Sequence, residues 1–333
     1  MPLSTTTHPT QTPLGHPRIL RKSQKSVGHF RPQRVTDIYA AIETIVSQVE
    51  QPVVSVCEVL GVSRSAYHAW LVREPSSREA QDAELSPLVQ DIFWKHKRRY
   101  GARRIAPDLI EVGHACDVRR VGILMRNQHL RAIQPKSFVP ITTDSRHKLG
   151  YSPNLILDIP HLTDLHQLWV GDITYVPLQG GEFCDLATLM DRFSRRIIAW
   201  HLDDHMTEDL VLPVLHQAIR ERQPPAGLFH HTDRGGQYAG TRYRAVLRRA
   251  EIIQSMSRAD NCYDNAFAEN GFGTLKTELE MTRYDSVEVA RTEIGEFLAY
   301  DNLERKHSSL DDQSPHQFEL RQARPGQNAD RRK

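Results

Sequence analysis

Cysteine is scarce in this chain, and its four cysteines are widely scattered. They are Cys57, Cys116, Cys184 and Cys262, with no CxxC pair among them. The 17 histidines likewise include no pair that stands near two cysteines at the spacing of a zinc finger. This pattern argues against a zinc knuckle and against a disulfide framework, so we expect free thiols in a reducing cytoplasm.

The chain also lacks long hydrophobic runs. No apolar stretch approaches the roughly 18 residues that a membrane helix requires, and the N-terminus has no apolar segment typical of a secretory signal peptide. With 39% hydrophobic and 25% charged residues over 333 positions, the composition suits a globular protein of two or three domains. We therefore expect a cytoplasmic protein without a membrane partner.

A net charge of only +2 conceals an asymmetry between the two halves of the chain. Residues 1–150 hold 22 basic and 13 acidic residues, whereas residues 151–333 hold 21 and 28. The basic half indicates a polyanionic partner, of which nucleic acid is the commonest. The acidic half is compatible with such a partner if some carboxylates face metal ions. A chance distribution of surface charge is the alternative.

The N-terminal part of the sequence predicts a helix-turn-helix at residues 36–75. It follows residues 1–35, which are rich in Thr, Pro, Ser and basic residues and are expected to be disordered. Thr36 is a candidate N-cap of the first helix, Gly61 allows a tight turn, and Ser63 can cap the helix after that turn. A plain helical hairpin has the same pattern. The candidate DNA contacts on the capped helix are Arg64, Ser65 and His68.

Residues 84–135 are predicted to form a second helical unit that binds DNA. Three helical stretches are interrupted near Gly101 and Gly113, and basic side chains cluster around the first interruption with Tyr100 among them. Such a basic run favours nucleic-acid binding over a merely solvated face. The candidate contacts are Lys97, Arg98, Arg99, Arg103 and Arg104.

The pattern changes after a predicted linker at residues 136–160. The segments LWVGDITYVPL, EFCDLATLMD and RRIIAWHL have the β-rich character of strands. Helices then alternate with two further strand segments, AGLFHHTD and IQSMS. Residues 161–323 therefore predict an α/β domain with a mixed sheet, preceded by all-α units.

Three acidic residues of this domain stand where a metal site is expected. Asp172 lies inside the first strand segment, Asp233 ends AGLFHHTD, and Glu269 lies on the helix NAFAENGFGTLKTEL. Strand ends converge at one edge of an open α/β sheet, and a helix against that edge can add a third carboxylate. Carboxylates without histidine are hard oxygen ligands that suit Mg²⁺ or Mn²⁺. Two such ions about 3.5–4 Å apart promote phosphoryl transfer, so the pattern predicts a two-metal phosphodiester enzyme.

Several residues near these acids have plainer interpretations. Asp233 alone could cap a turn, and the glycines that follow it could form that turn. We expect His231 to be a core or supporting residue and not a metal ligand. Asp191, in MDRFSR, is expected to close the turn between two strands, and Trp169 and Trp200 to be core residues.

Seven motifs, in order across residues 50 to 320, carry a resemblance to a known family. They are VLGVSRSAYHAWL, RRYGARRIAPDL, WVGDITY, MDRFSRRIIAW, HTDRGGQY, SMSRADNCYDNAFAENGFGTLKTEL and HSSL followed by SPHQFE. Together they resemble the OrfB transposases of bacterial insertion sequences of the IS-three group, which are DDE recombinases related to retroviral integrases. The 35 residues between Asp233 and Glu269 match the spacing of that family.

The resemblance implies an RNase H-like catalytic domain with Asp172, Asp233 and Glu269 as catalytic, metal-binding residues. Lys276 matches the basic residue that the family has on the same helix, and is a candidate DNA contact; a solvated lysine is the alternative. The implied activity is metal-dependent cleavage of one strand at the element end, followed by strand transfer of the freed 3′-OH. The implied partners are terminal inverted repeats, target DNA, further copies of the chain and an OrfA-type partner or fusion, in the bacterial cytoplasm at the nucleoid.

Two rival functions remain open at this point. One is an RNase H-like nuclease that cuts DNA without joining it. The N-terminal helical units argue against this function. The other is a non-catalytic DNA-binding remnant or regulator of transposition, which the three intact acids disfavour. The chain also departs from the family pattern at Asn270 and Gly271, and a glycine inside a helix costs about 1 kcal/mol relative to alanine.

Overall fold

The structure is a computed structural model that describes most, but not all, of the chain. The described residues are 35–49, 51–135, 149–157, 159, 161–258, 266–280 and 283–323, without the side chains of 266–270. The predicted disordered segment, up to residue 34, and most of the predicted linker, residues 136–148, therefore lie outside the described residues. The chain divides into two compact units, residues 1–80 and 81–333.

The first unit contains three helices. They are α1 (Val35–Val49), α2 (Val53–Leu60) and α3 (Arg64–Leu71). Gly61 follows α2 at φ 69°, a left-handed conformation that glycine adopts without strain. Ser63 caps α3 as predicted, since its side chain accepts a hydrogen bond from the amide of Ala66. The prediction that Thr36 caps α1 is wrong, because the helix already includes Val35; sequence patterns fix helix ends only to within one or two residues.

Aromatic rings form much of the core of this unit. Ile42 is fully buried and Tyr67 is 3% exposed. The ring centroids of Tyr39 and Trp70 are 5.7 Å apart, and those of Tyr67 and Trp70 are 6.2 Å apart. Because these residues bury one face of α3, the other face is open to solvent. The exposed side chains of that helix include Arg64, Ser65 and His68.

Three further helices lie wholly or mostly in the second unit. They are α4 (Ser77–Lys95), α5 (Ala102–Glu111) and α6 (Val118–Asn127). The interruptions fall at the predicted glycines, with Gly101 before α5 and Gly113, at φ 89°, after it. Asp117 caps α6 by accepting a hydrogen bond from the amide of Arg120. Apolar side chains from all three helices form one core, which includes Val89, Phe93, Ile105, Leu109, Val121 and Leu124.

A five-stranded mixed sheet forms the centre of the second unit. Its strands are β1 (Leu168–Pro177), β2 (Phe183–Asp191), β3 (Ile197–Asp203), β4 (Phe229–Thr232) and β5 (Ile253–Met256). Their order is β3-β2-β1-β4-β5. The first three strands are antiparallel neighbours, whereas β4 is parallel to both β1 and β5. This is the predicted RNase H-like mixed sheet.

Helices cover both faces of the sheet. They are α7 (Glu208–Arg222), α8 (Gly236–Ala239), α9 (Thr241–Arg249), α10 (Ala266–Glu278), α11 (Val287–Leu303) and α12 (Pro315–Gln322). Because successive side chains of a strand point to opposite faces of the sheet, there is one hydrophobic core on each face. Trp169 and Leu189 pack with α7, α8 and α9, whereas Val176 and Leu186 pack with α10 and α11. The sheet is therefore buried from both sides, and its strand ends are the places where polar side chains collect.

Two expectations from composition can be compared with the described part of the chain. Cys57, Cys116 and Cys184 are free thiols, and Cys262 lies outside the described residues. Among the described helices, none is both long enough and apolar enough to cross a membrane.

Candidate active site

Two of the predicted acids are brought together by the pairing of β1 with β4. Val170 lies opposite His231 in this parallel pair, and Asp172 and Asp233 each follow two residues later. Neighbouring strands are about 4.8 Å apart, so the two carboxylates stand side by side at the end of β4. Asp172 is only 9% exposed and Asp233 is half-buried.

The buried phenol of Tyr238 reports the same proximity. Burial raises its pKa well above the ordinary value, and the charges of Tyr243, Asp233 and Asp172 raise it further. Tyr238 lies in α8, directly after the turn that Asp233 begins. The sequence analysis did not single it out. It is buried in the core that α7, α8 and α9 form against the sheet.

Gly171 has no side chain, so the ring of His230 on β4 can lie against β1 next to Asp172. A Cβ atom at Gly171 would lie 3.0 Å from Cε1 of His230 and 3.3 Å from Cγ2 of Thr232. His230 is fully buried, and its Nε2 is 2.7 Å from the hydroxyl of Tyr243. Burial lowers the pKa of His230 to about 3, so the ring is neutral. A larger residue at 171 would push this ring away and shift the strand that carries Asp172.

Asp233 takes part in a turn, as the plainer interpretation expected. Its Oδ1 accepts a hydrogen bond of 3.0 Å from the amide of Gly235. A Cβ atom at Gly235 would lie 2.7 Å from Oε1 of Gln237 and 3.1 Å from that same Oδ1. An ionised carboxylate has about four acceptor positions. One bond to the turn is therefore compatible with metal binding by the same side chain.

Helix α10 crosses β1 and brings Lys276 towards Asp172. Phe272 and Leu275 anchor the helix in the core on this face of the sheet. Lys276 is half-buried; burial lowers its pKa, and the negative charge of Asp172 opposes that effect. Glu269 lies in α10, seven residues before Lys276 and so about two helical turns away. The side chain of Glu269 lies outside the described residues.

The donor set at this site fits a divalent cation. Asp172 and Asp233 offer hard carboxylate oxygens from adjacent strands, which suits Mg²⁺ or Mn²⁺. His231 is not available as a ligand, because both of its ring nitrogens face serine hydroxyls, at 2.9 Å from Ser255 and 3.2 Å from Ser257. The expectation that His231 is a buried supporting residue is confirmed.

A second acidic group lies elsewhere on the sheet and was not anticipated from the sequence. Asp203, Asp204 and His205 follow β3 and offer ligand atoms within 4.8 Å of one another. Asp203 stands opposite Asp185, whereas the partner of Asp172 on β2 is Thr188. Asp204 and His205 are exposed. The group is thus separate from the Asp172–Asp233 pair.

Asp191 closes the turn between β2 and β3, as predicted. Its Oδ1 accepts hydrogen bonds from the amides of Phe193 and Ser194, and its Oδ2 accepts one from the amide of His166. The carboxylate is fully buried. All of these bonds are structural, so this acid does not belong to the metal site.

The basic cluster of the second helical region makes several contacts inside the molecule. Arg98 pairs with Glu280 at 3.4 Å, and Arg104 pairs with Glu278 at 3.3 Å. The guanidinium of Arg99 lies over the ring of Tyr300, 4.8 Å from its centroid. Lys97 forms an exposed pair at 4.0 Å with a glutamate of α11, whereas Arg103 is exposed. Much of this cluster therefore joins α4 and α5 to the helices around the site, a role that the sequence analysis did not foresee.

Buried charges also connect α4 and α5 to the helices around the site. Asp108 lies 2.9 Å from Nε2 of His96 and 2.9 Å from Nζ of Lys306. Burial alone would raise the pKa of Asp108, but hydrogen bonds from His96 and Lys306 bring it below its ordinary value. The hydroxyl of Tyr100 accepts a hydrogen bond of 2.8 Å from the amide of Lys306. The carboxylate is thus held ionised between two elements that are far apart in sequence.

Models of known protein families match parts of this chain. Family models described as integrase core domain match residues 164–262 and 250–315, and one described as HTH-like domain matches residues 79–138. The HTH-like match thus falls on the second helical region and not on residues 36–75.

Several curated proteins are similar over most of this chain. Transposase InsF of IS3A from Escherichia coli K12 is 35% identical over 276 residues, which cover 82% of this chain and 95% of InsF. The transposase of IS904 from Lactococcus lactis is 37% identical over 258 residues, 74% of this chain and 98% of that protein. An uncharacterized 31 kDa protein of IS600 from Shigella sonnei is 38% identical over 264 residues, 79% of this chain and 96% of that protein.

Two solved structures are similar at low sequence identity. The HTLV-2 integrase catalytic core domain in complex with magnesium has a TM-score of 0.36 and 16% identity, covering 46% of this chain and 96% of that one. A chain of the simian T-cell lymphotropic virus intasome in complex with PP2A regulatory subunit B56 gamma has a TM-score of 0.39 and 14% identity, covering 70% and 74%.

The mixed sheet, the paired carboxylates and the integrase core matches define an enzyme of the DDE transposase/integrase class. The chain belongs to the IS3 family of insertion-sequence transposases, because it covers nearly the whole length of InsF and of the IS904 transposase at 35% and 37% identity. Its function is that of a DNA transposase catalytic subunit.

Proposed function

We propose that this transposase cuts one DNA strand at the end of its insertion sequence and transfers the freed 3′-OH to target DNA, with Asp172, Asp233 and Glu269 holding the metal. The observation that carries the proposal is the parallel register of β1 and β4, which sets Asp172 beside Asp233. The InsF and IS904 relatives are named as transposases, and this supports the same chemistry for this chain.

The roles of the chain's residues follow from their surroundings. Two divalent ions, Mg²⁺ or Mn²⁺, would supply activation of the attacking oxygen and stabilisation of the leaving oxygen. Asp172 and Asp233 hold this charge at a rigid sheet edge, and Glu269 adds the third carboxylate from α10. Lys276, beside Asp172, binds a phosphate oxygen of the scissile strand. Tyr238 and His230 fill the core on the other face of the sheet, behind the strands that carry the two acids.

DNA contacts are proposed for both helical regions. On α3, the exposed Arg64, Ser65 and His68 would read the terminal inverted repeats, because a capped short helix can enter the major groove. In the second helical region, Lys97 and Arg103 are exposed and would contact phosphates. Arg98, Arg99 and Arg104 are engaged within the molecule, so their effect on DNA would be to orient that region.

We further propose the domain boundaries of the chain and its assembly. A helix-turn-helix at residues 36–75 would precede a helical region at 84–135, with a linker at 136–160 and the catalytic core at 161–323. Because two element ends must be cut together, the active form would be a multimer on DNA. An OrfA-type partner or fusion would complete end recognition.

The first test is a joining assay with an amide in place of each acid. Oligonucleotides copied from the DNA flanking the gene are incubated with wild type, Asp233→Asn or Asp172→Asn in Mg²⁺ or Mn²⁺. We expect both variants to bind the ends normally but to lose cleavage and joining by a factor of at least about 100, since loss of a ligand exceeds the 10–100-fold effect of losing a supporting residue.

The matched control is Asp204→Asn, which makes the same change in the separate acidic group after β3. It should cut and join like wild type. Normal joining by Asp233→Asn would refute the metal assignment. Cleavage without joined products in the wild type would instead indicate a nuclease, and end binding without any product would indicate a binding-only protein or a missing OrfA partner.

A further inference from the structure

Helices α5 and α6 form a helix-turn-helix of their own. Four residues, 113–116, separate the C-cap of α5, Val112, from the N-cap of α6, Asp117. Gly113 opens this turn in a left-handed conformation. Leu109 of α5 and Leu124 of α6 pack in one core with α4. A short turn that contains glycine and joins two packed helices is the layout of DNA-binding helix-turn-helix motifs, in which the second helix enters the major groove.

The arginines of α6 are placed differently from those between α4 and α5, which contact residues around the site. Arg119 and Arg126 are exposed, and neither forms an ion pair with any residue that the structure describes. Nε of Arg126 donates a hydrogen bond of 3.2 Å to the carbonyl of Gly122 in the same helix, which leaves its terminal nitrogens for other partners. Residues 118–131 hold four arginines and no acidic residue. A surface of this single sign is complementary to the DNA backbone.

The outward face of α6 combines these charges with apolar side chains. Arg119, Ile123 and Arg126 recur at a spacing of four and then three residues, so they share one side of the helix. The buried residues of α6 lie on the opposite side and are Val121, Leu124 and Met125. Ile123 is half-buried, and Val118, in the first turn, is 43% exposed. The face therefore offers both the hydrogen-bond donors and the apolar contacts that base edges require.

The first turn of α6 is fixed against α4. Asp117 accepts a hydrogen bond from the amide of Arg120, as described above. The guanidinium of Arg120 points back to α4, where it donates hydrogen bonds of 2.7 Å to Asp82 and 3.2 Å to Gln81. Arg120 is thus engaged within the protein and is not a candidate DNA contact. Because the helix start is held in place, little ordering cost remains when a ligand binds to its outward face.

We propose that α6 reads base pairs at the end of the element, in addition to those that α3 reads. Arg119 binds a base edge in the major groove, Val118 and Ile123 make apolar contacts there, and Arg126 binds a backbone phosphate. The proposal rests on the DNA strand-transfer function proposed above. In a helix-turn-helix, the residues near the start of the second helix contact base edges. Arginine bonded to O6 and N7 of guanine is the commonest specific contact of this kind.

The test is DNA binding by the full-length protein with Asp233→Asn, so that no strand is cut. Arg119→Gln and Arg126→Gln are made separately in this parent protein. Arg220→Gln, which removes an exposed arginine of α7, is the matched control. Affinities are measured for a duplex copied from the element end, for a random duplex of equal length, and for end duplexes that carry one substituted base pair each. The measurements are repeated at several salt concentrations.

We expect Arg119→Gln to weaken binding to the element end by about 5- to 150-fold beyond any loss on the random duplex, since one bidentate base contact discriminates by that factor. This additional loss should vanish on the end duplex whose contacted base pair has been substituted. Arg126→Gln should weaken binding to both duplexes equally. It should also make the slope of log affinity against log salt shallower by about 0.9, the effect of one lost phosphate contact.

Two outcomes would overturn the proposal. One is an equal loss on the element-end and random duplexes for Arg119→Gln, and the other is an effect of Arg119→Gln no larger than that of Arg220→Gln. Because binding is measured without catalysis, a failure of the joining assay is a separate result.

A second measurement avoids mutation of α6, in case a variant does not fold. The wild-type protein is treated with an arginine-specific dicarbonyl reagent, with and without the element-end duplex, and modified peptides are quantified by mass spectrometry. The duplex should protect Arg119 and Arg126 several-fold, while Arg220 is modified equally in both samples. Equal modification of Arg119 with and without the duplex would contradict its role as a base contact.

Discussion

At the scale of single residues, Asp185 is a buried acid away from Asp172 and Asp233. It is 7% exposed, and its Oδ1 makes no hydrogen bond within the described part of the chain. It stands opposite Asp203 in the β2–β3 ladder. Burial first, and the charge of Asp203 second, raise its pKa to about 6. The protein therefore bears a cost whenever this carboxyl is ionised.

The sign of the pH dependence follows from the raised pKa. Between the ordinary value of 3.8 and about 6, the folded protein binds a proton that the unfolded chain releases, so stability falls as the pH rises through this window. Asp185→Asn removes the ionisable group. We expect it to match wild type near pH 4 and to be more stable by up to about 3 kcal/mol at pH 8, at 1.36 kcal/mol per pKa unit.

Denaturant unfolding at both pH values measures the effect. Asp203→Asn should give a smaller gain at pH 8, because it removes only the neighbouring charge. An equal change in stability at pH 4 and pH 8 for Asp185→Asn would show that the carboxyl does not titrate in this window.

At the scale of elements, α10 is anchored at one end and weak in its middle. Arg305 donates hydrogen bonds of 2.8 to 3.0 Å to Glu278 in the last turn, and Arg104 pairs with the same carboxylate. Gly271 and Gly273 stand one to two turns earlier, close to Glu269. The helix that carries the third acid is thus fixed from its C-terminal side.

Replacing the glycines of α10 should stabilise it. Among the described residues outside the helix's own backbone, a Cβ atom at Gly271 or at Gly273 would meet no atom within 4 Å. Alanine in a helix interior is favoured over glycine by about 0.5–1 kcal/mol, so Gly271→Ala and Gly273→Ala should each raise the unfolding free energy by about that amount. Thermal melts check the gain.

Gly171→Ala is the contrasting variant. Its Cβ atom would lie 3.0 Å from His230, and it should lower the melting temperature. A loss of stability in Gly271→Ala would mean that another group covers this part of the helix.

At the scale of the whole second unit, α4 and α5 are joined to the catalytic region by buried charges. The pairs Asp108–Lys306 and Glu278–Arg305 have side chains no more than about one-tenth exposed. A buried ion pair adds little compared with apolar packing, but removal of one partner leaves a costly charge behind. We therefore expect the second helical region and the integrase core region to unfold together.

Lys306→Met tests this coupling. It leaves Asp108 buried without its ammonium partner, and we expect a loss of about 3–5 kcal/mol, as for other broken buried pairs. Lys97→Met, which breaks an exposed pair at 4.0 Å, should cost less than about 1 kcal/mol. Chemical denaturation with far-UV circular dichroism compares them. Equal effects of the two substitutions would show that the junction is not buried in solution.

The sequence by itself determined many of the elements and singled out Asp172 and Asp233 as candidate metal ligands. The β-rich segments predicted β1, β2 and β3, and Ser63 caps the helix that it was expected to cap. Asp172 and Asp233 were singled out because strand ends converge. The strands and the helix cap depend on residues within a few positions of one another, so local pattern and spacing are sufficient to predict them, whereas the proximity of Asp172 and Asp233 depends on the pairing of β1 with β4.

Only the tertiary structure decided which charged side chains pair within the protein. Arg104 was expected to contact DNA, yet its carboxylate partner Glu278 is 174 residues away. Lys306 likewise pairs with Asp108, a residue almost 200 positions earlier in the chain. A charged side chain has the same local signature whether it faces solvent, DNA or a buried partner. Its role follows from the desolvation and pairing that arise when distant segments pack.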